Sequence, residues 1–198
     1  MLPTKSELDF VETRNITADP QVLQSGAKQS AAWVLWYLEL RRLAHQSSDE
    51  EFWRTLVYNR DSQLRPAPRS LGDSFSCCYL NHVLEIRACV AGSQYTPIMK
   101  YWLLQSFKAG TPYKDAWANL SYQRFFFVSE NGRIGWVPIT ARAGDQLYVF
   151  KGMRVPVVLR PIGDLGWWQL IGACYIHGLM DGEAEDMAQG RWEHVKIR

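Results

Sequence analysis

The hydrophobic positions of the chain change their spacing at Arg124. Before this residue, apolar side chains recur every three or four positions, which is the period of an α-helix. After it, they alternate or form short runs between turn residues, which is typical of β-strands. The pattern predicts an α+β protein: a flexible arm over residues 1–19, then a helical block over residues 20–122. This block is predicted to pack on a small β module over residues 124–198.

The first two helices of the block have recognisable boundaries. The first is expected from Pro20 to about Gln46, because proline suits the first turn of a helix and apolar residues follow at helical spacing. The second is expected to start at a capping box formed by Ser48 and Glu51. There the serine oxygen accepts from a free backbone amide, and the glutamate reaches back.

Further along the block, small and polar residues indicate more helix ends. Asp73 or Ser74 is expected to cap a third helix. Gly110 is expected to end a fourth, because glycine tolerates the left-handed conformation at that position. Thr111 and Pro112 then predict the start of another helix, as its cap and its first residue.

The β module shows short strands separated by turns. Asn131 and Gly132 lie between two apolar runs and predict a hairpin turn, because both central residues must tolerate positive φ. Further turns follow, and residues 192–197 are expected to form a last strand that closes the sheet. The module is therefore expected to be a small antiparallel β-barrel of SH3-like size.

Composition limits the classes of function. The chain has 22 basic and 20 acidic residues, a net charge of +2, and therefore no electrostatic signature of a nucleic-acid or anionic-membrane ligand. The longest apolar run, Ala31 to Leu38, is much shorter than the roughly 20 residues that span a bilayer. No partner of either kind is expected.

The N-terminus and the cysteines indicate the compartment. The first residues lack the pattern of a signal peptide. Four cysteines are present without a Cys-x-x-Cys pair, which argues against a structural zinc site and favours reduced, buried thiols. A cytoplasmic protein without a metal ion or cofactor is expected.

Cys174 and His177 are the residues of the module that most resemble a nucleophile and its base. Residues three apart on an extended strand point to opposite faces, so the pair meets only if the chain turns after Tyr175. The sequence therefore favours a buried cysteine and a hydrogen-bonded histidine. A small hydrolase that uses Cys174 and His177 stays open as an alternative.

Aromatic side chains supply the candidate binding residues of the module, which are Trp136, Tyr148, Trp167 and Trp168. Because Trp167 and Trp168 are adjacent on a strand, they must face opposite ways, so one of them is expected at the surface. Exposed aromatic rings beside Tyr148 would form a groove for a peptide. Packing within the protein is the competing explanation for these rings.

Several motifs of the chain match one family. They are the Gly144-Asp145 turn, Leu159-Arg160-Pro161 and the closing run Leu170–Ala184, with Phe52–Leu56 and Gly135–Pro138 upstream. Together they resemble the C-terminal region of fungal heterokaryon-incompatibility (HET-domain) proteins. The closing run is the specific part of the match, and the helical part is weaker. The departures are mild, such as isoleucine for valine at positions 171 and 176.

The motif that defines the family's N-terminal domain is not found in this sequence. That domain resembles a Toll/interleukin-receptor fold and carries a tyrosine-x-alanine-leucine-serine-tyrosine-x-tryptophan-glycine motif. The chain is therefore expected to correspond to a C-terminal half, without the residues proposed for cell-death activity. The resemblance implies a non-catalytic interaction or regulatory region in fungal non-self recognition. Its β module would contact a protein partner or the missing effector domain.

Overall fold

The computed structural model describes residues 8–9, 26–91, 96–118, 124–163, 166–180, 182–184 and 192–198. The elements, in chain order, are β1 (Leu8–Asp9), α1 (Gly26–Leu43), α2 (Asp49–Leu56), α3 (Ser70–Ala91), α4 (Pro97–Ala118), β2 (Arg124–Ser129), β3 (Ile134–Pro138), β4 (Gln146–Tyr148), β5 (Val157–Ile162), β6 (Trp167–Ala173), β7 (Tyr175–Ile176) and β8 (Lys196–Ile197). The predicted α+β class is confirmed. None of the described helices is long and apolar enough to cross a membrane.

These elements belong to two compact units. The β unit contains β1, α2 and β2–β8, and the helical unit contains α1, α3, α4 and the loop over residues 59–69. The helix α2 therefore groups with the strands, although it lies between α1 and α3 in the sequence. Most of the predicted arm over residues 1–19 lies outside the described residues. The part that is described, β1, pairs with β2.

The first sheet of the β unit has the strand order β1-β2-β3-β7, with antiparallel neighbours throughout. The turn between β2 and β3 lies where the Asn-Gly signal predicted it, but the expected positive φ at both residues is wrong, since Asn131 does not share it with Gly132. The Gly132 amide instead donates to the Ser129 carbonyl at 2.8 Å, so Glu130 and Asn131 are the central residues of the turn. Gly132 has a φ of 73°, and the Ser129 amide donates to the Arg133 carbonyl at 2.8 Å. A left-handed glycine is what this tight connection requires.

The second sheet has the order β4-β5-β6-β8, and it corrects the prediction of a closed antiparallel barrel. The last strand, β8, runs parallel to β6 and pairs with it only at Trp167 and Trp168. Among the described strands, no ladder joins the two sheets. Strands of two or three residues at the sheet edges are too short to close one continuous barrel.

The two sheets share one hydrophobic core. Phe127 and Val137 from the first sheet pack with Val158 from the second, and Cys174 and Ile176 complete the central cluster. All five side chains are 3% exposed or less. Burial of this apolar area is the main stabilising contribution to the β unit.

The helix α2 packs against the first sheet. The serine half of its predicted capping box is confirmed, since the Ser48 hydroxyl accepts from the Glu51 amide at 3.1 Å. The Phe52 ring lies 6.3 Å from that of Phe126, measured between centroids. At the end of the helix, the Thr55 carbonyl accepts a hydrogen bond from a strand side chain described below. These contacts explain why α2 belongs to the β unit.

The helix α4 runs without interruption from Pro97 to Ala118, so the predicted helix end at Gly110 and restart at Pro112 are wrong. The Ser74 hydroxyl of α3 provides the reason. It donates to the Ala109 carbonyl at 2.7 Å and accepts from the Tyr113 amide at 3.1 Å. The hydroxyl is thus inserted between two groups that would otherwise bond each other, which keeps both satisfied next to the proline.

Ser74 was predicted as a helix cap, but α3 already begins at Ser70. Gly110 likewise has another role. A β-carbon at Gly110 would lie 2.8 Å from both the Cα and the backbone nitrogen of Cys78. Only glycine lets α3 and α4 approach this closely.

We expect Ser74→Ala to destabilise the helical unit by about 1–3 kcal/mol, because the buried Tyr113 amide and the part-buried Ala109 carbonyl lose the hydroxyl that bonds both. The measurement is the free energy of unfolding from denaturant titration, followed by far-ultraviolet circular dichroism. Ser76→Ala is the matched control, since the exposed Ser76 hydroxyl donates only to the Gly72 carbonyl of its own helix. Equal destabilisation by the two substitutions would contradict this role of Ser74.

Candidate functional site

The turn before the second sheet is held by a buried carboxylate. Asp145, which is 1% exposed, accepts from Arg160 Nε at 2.7 Å and from Arg160 Nη2 at 2.9 Å. It also accepts from the Arg142 amide at 2.9 Å, while Arg160 donates to the Thr140 carbonyl at 2.8 Å. The hydrogen bond to Asp145 is the main cause that raises the pKa of Arg160. Two motifs that carry the family resemblance, Gly144-Asp145 and Leu159-Arg160-Pro161, are therefore joined by a structural ion pair.

The second sheet has an apolar side that faces away from the shared core. Leu170 and Ile197 are 51% and 42% exposed there. Trp168 lies on the same side as Leu170, because the two are separated by two positions on β6, and it pairs with Ile197 of β8. Tyr148 joins them, since its ring centroid lies 5.1 Å from that of Trp168 in an edge-to-face arrangement. We call Tyr148, Trp168, Leu170 and Ile197 the outer apolar face.

The four predicted binding residues are divided between different places. Tyr148 and Trp168 come together on the outer apolar face. Trp167 points to the opposite side of β6, as strand alternation requires, and Lys196 Nζ lies 5.8 Å from its ring centroid. Trp136 belongs to the first sheet. The predicted groove therefore contains two of the four aromatic residues, and whether these two bind a ligand stays a prediction.

Trp136 has a packing role that leaves no ring surface for a partner. It is 4% exposed, and its indole Nε1 donates to the Thr55 carbonyl of α2 at 2.8 Å. Its ring is stacked on Tyr58 at 5.8 Å and lies edge-on to Phe126 at 5.5 Å. The candidate binding role of Trp136 is corrected to a structural one: this indole fixes the end of α2 on the first sheet.

Cys174 and His177 lie on opposite sides of the chain. Cys174 is 3% exposed and packs in the shared core with Ile176. The His177 Nδ1 atom lies 3.1 Å from the Tyr175 hydroxyl, on the other side of β7. The alternation of an extended strand therefore separates the two residues, as expected from their spacing. This geometry excludes Cys174 and His177 as a nucleophile and base pair.

The ionisation of both residues agrees with that geometry. Burial raises the pKa of the Cys174 thiol to about 12, so the thiol stays protonated at neutral pH. Burial also lowers the pKa of His177, against the opposing charges of Glu50 and Glu51 on α2. A neutral histidine bonded to Tyr175 is a packing element of the β unit.

The helical unit contains a serine–histidine–glutamate set that sequence reading did not find. The Ser30 hydroxyl lies 2.9 Å from His82 Nδ1 and donates to Glu85, and Asn81 Nδ2 donates to Glu85 at 2.9 Å. Ser106 of α4 donates to the Asn81 amide oxygen at 3.5 Å. Because Ser30 is 1% exposed, a substrate could not reach its hydroxyl. The set is a buried polar network that links α1, α3 and α4.

The electrostatics of His82 support a structural role for this network. Burial lowers the pKa of His82 to about 4, so its ring is neutral at neutral pH. The unfolded chain binds this proton near the ordinary histidine pKa of about 6.5. The contribution of the neutral His82 ring to the free energy of unfolding is therefore fully present above about pH 6.5. It is lost as the pH falls from there towards 4.

The described part of the chain has no group of three or more histidine, cysteine, aspartate or glutamate residues placed to hold a metal ion. Asp164 and Asp181, which are carboxylates of the closing turns, lie outside the described residues. Of residues 181–189, the structure describes 182–184, where Glu183 and Ala184 are helical.

Sequence reading missed Leu170 and Ile197, although the alternation between Trp168 and Leu170 was a usable signal. It also missed the ion pair between Asp145 and Arg160. The only signal for that pair was the presence of both residues in motifs of the same family. Pairing across residues far apart in sequence depends on register, which no local pattern reveals.

We expect Asp145→Asn to destabilise the β unit by about 1–3 kcal/mol, because it removes the carboxylate that pairs with the partly buried guanidinium of Arg160. Chemical denaturation followed by tryptophan fluorescence measures the change. Glu39→Gln is the control, since it removes an exposed ion pair with Arg42 and should leave stability unchanged. A similar unfolding midpoint for Asp145→Asn and the wild type would contradict the role assigned to this ion pair.

We expect Cys174 to resist alkylation by iodoacetamide in the folded protein from pH 6 to 9, because it is buried and its pKa is raised to about 12. Cys89, which is exposed, is the internal control and should be labelled rapidly. Mass spectrometry of peptides from timed reactions gives both rates. Labelling of Cys174 as fast as that of Cys89 would return it to the list of candidate nucleophiles.

Comparison with known proteins identifies the family. A family model described as the Het-6 beta-barrel domain matches residues 88–193. Heterokaryon incompatibility protein 6, OR allele, of Neurospora crassa is 38% identical over 65 residues, which is 32% of this chain and 10% of that relative. No solved structure matches the chain.

The kinship with HET proteins expected from the motifs is therefore confirmed. The aligned stretch spans about a tenth of the length of the curated relative. Because the family model covers more than half of the chain, the chain belongs to the Het-6 beta-barrel domain family.

Proposed function

We propose that the chain is a non-catalytic interaction region of a heterokaryon-incompatibility protein, which acts in fungal non-self recognition by binding a protein partner. The outer apolar face is the observation that carries the proposal. It places Tyr148, Trp168, Leu170 and Ile197 side by side on the second sheet, with Leu170 half exposed.

The make-up of this face supports protein binding. Leu170 and Ile197 are exposed, and Tyr148 and Trp168 are half-buried. Adjacent apolar side chains that remain in contact with water mark surfaces that are covered in a complex. Tyrosine and tryptophan provide large contact areas with little loss of conformational freedom. Burial and the negative charge of Glu193 raise the pKa of Tyr148, so its hydroxyl remains a neutral hydrogen-bond donor at the edge of the face.

The rigidity of the face also supports the proposal. Leu159, which is fully buried, lies directly opposite Leu170 in the ladder between β5 and β6. The next residue on β5 is Arg160, which is held by the carboxylate of Asp145. A surface fixed by a buried ion pair loses little freedom on binding, which favours affinity.

The non-catalytic part of the proposal is supported by the chemistry of the candidate groups. Cys174 is buried with a raised pKa, and His177 is bonded to Tyr175 on the other side of the strand. Ser30 is closed off from solvent. The role in non-self recognition is supported by the name of the Neurospora relative, a heterokaryon incompatibility protein. The partner is a separate protein or another part of such a protein.

We expect Leu170→Asp to abolish partner binding while the protein remains folded, because it places a charge in the centre of the face. The assay is growth of Neurospora crassa heterokaryons that express the wild-type chain or a variant, with circular dichroism as the folding check. The wild type should change heterokaryon growth, and Leu170→Asp should not. Met153→Asp is the matched control, since Met153 is 40% exposed in the connection between β4 and β5 and is not one of the four residues of the face.

Two results would overturn the proposal. One is a Leu170→Asp variant that acts as the wild type does. The other is turnover of ester or peptide substrates by the purified protein that is lost on His177→Ala, since this would show catalysis.

A further inference from the structure

The helix α4 exposes an unusual amount of apolar surface. Five large side chains on the half of the helix before Gly110 are between 49% and 68% exposed, and they are Ile98, Tyr101, Trp102, Leu104 and Phe107. We call them the α4 arc. They belong to the helical unit and share no residue with the outer apolar face of the β unit.

The buried side of α4 is narrow by comparison. Ser106, Gly110, Tyr113 and Ala116 recur every three or four positions and form the side that is buried. Successive residues of a helix are rotated by about 100°, so the five exposed side chains surround most of the remaining circumference. A helix that is apolar nearly all round is typical of one that is covered on most sides.

The charges along α4 are positive except for that of Asp115, near the end of the helix. The segment from Pro97 to Lys114 contains three lysines and no aspartate or glutamate. Lys108 is exposed and lies on the same side as Tyr101 and Leu104, at helical spacings of seven and four residues. Lys114 places its Nζ 4.6 Å from the ring centroid of Phe107. Positive charge and exposed rings therefore occupy the same surface.

We propose that the α4 arc binds an acidic, apolar segment of a protein partner. Leucine-sized and aromatic side chains of the partner would pack on Tyr101, Leu104 and Phe107, and its carboxylates would pair with Lys108. Burial of the rings provides affinity, while the charges select the partner and speed its association.

A lipid surface fits the arrangement less well. Interfacial helices carry their lysines on the polar side, away from the acyl chains. Here Lys108 lies in line with Tyr101 and Leu104, so insertion of that side would carry the ammonium group into the hydrocarbon. A second copy of the chain is also disfavoured, because a two-fold interface would bring the positive charges of two α4 helices together.

The experiment uses a phage-displayed library of random 16-residue peptides, selected separately on the purified wild-type chain and on two variants. Lys108→Glu reverses the charge at the centre of the arc. Lys151→Glu makes the same change in an exposed turn of the β unit and is the matched control. Circular dichroism confirms that all three proteins are folded.

The wild type and Lys151→Glu should enrich the same peptides, with an excess of aspartate and glutamate and with apolar residues at spacings of three and four. Lys108→Glu should bind these peptides at least about tenfold more weakly. Leu104→Asp should weaken the binding of these peptides by a similar factor. Peptides without an acidic excess, or equal binding to the wild type and Lys108→Glu, would overturn the proposal.

Two further measurements test whether the α4 arc binds a lipid surface or a second copy of the chain. Sedimentation with vesicles of phosphatidylcholine and phosphatidylserine tests the lipid surface. Sedimentation velocity across protein concentrations tests self-association. If the wild type binds vesicles or dimerises and Leu104→Asp does not, the α4 arc binds lipid or a second copy of the chain. The proposal of an acidic partner would then be wrong. If Lys108→Glu loses peptide binding but affects heterokaryon growth as the wild type does, the α4 arc has a role distinct from the proposed function. That function depends on Leu170.

Discussion

The second sheet depends on the hydrogen bonds that the carboxylate of Asp145 accepts. It accepts three hydrogen bonds at a position almost without solvent, two of them from Arg160 on the central strand β5. This fixes the turn at Gly144 relative to β5 and so sets the register between β4 and β5. The outer apolar face and the shared core lie on the two sides of the sheet that this register defines. A buried charge thus specifies which residues face the core and which face the outer side of the sheet.

Local sequence signals predicted the elements well where the responsible contacts are local. The change of hydrophobic period at Arg124, the cap formed by Ser48 and the Asn-Gly turn all involve residues within a few positions of one another. The separation of Cys174 from His177 also followed from strand alternation alone. Each of these features depends on backbone geometry that the next few residues determine.

The features that could not be predicted depend on distant partners. Gly110 and Pro112 are ordinary signals for a helix end, yet α4 continues. Ser74, 35 residues before Ala109, bonds the Ala109 carbonyl and the Tyr113 amide next to the proline. The pairing of β8 with β6 likewise brings together strands from separate parts of the chain. The outer apolar face needed both of these strands, so its two aromatic residues were predicted but Leu170 and Ile197 were not.

The helix α4 keeps its structural and its exposed residues on different sides. Small side chains at Ser106, Gly110 and Ala116 allow close packing inward, whereas Tyr101 and Leu104 are half exposed and contribute less burial. Substitutions of exposed residues usually change stability little. Variants that differ at the outward positions are therefore expected to keep the fold. The exposed surface of α4 can change by single mutations at little cost in stability.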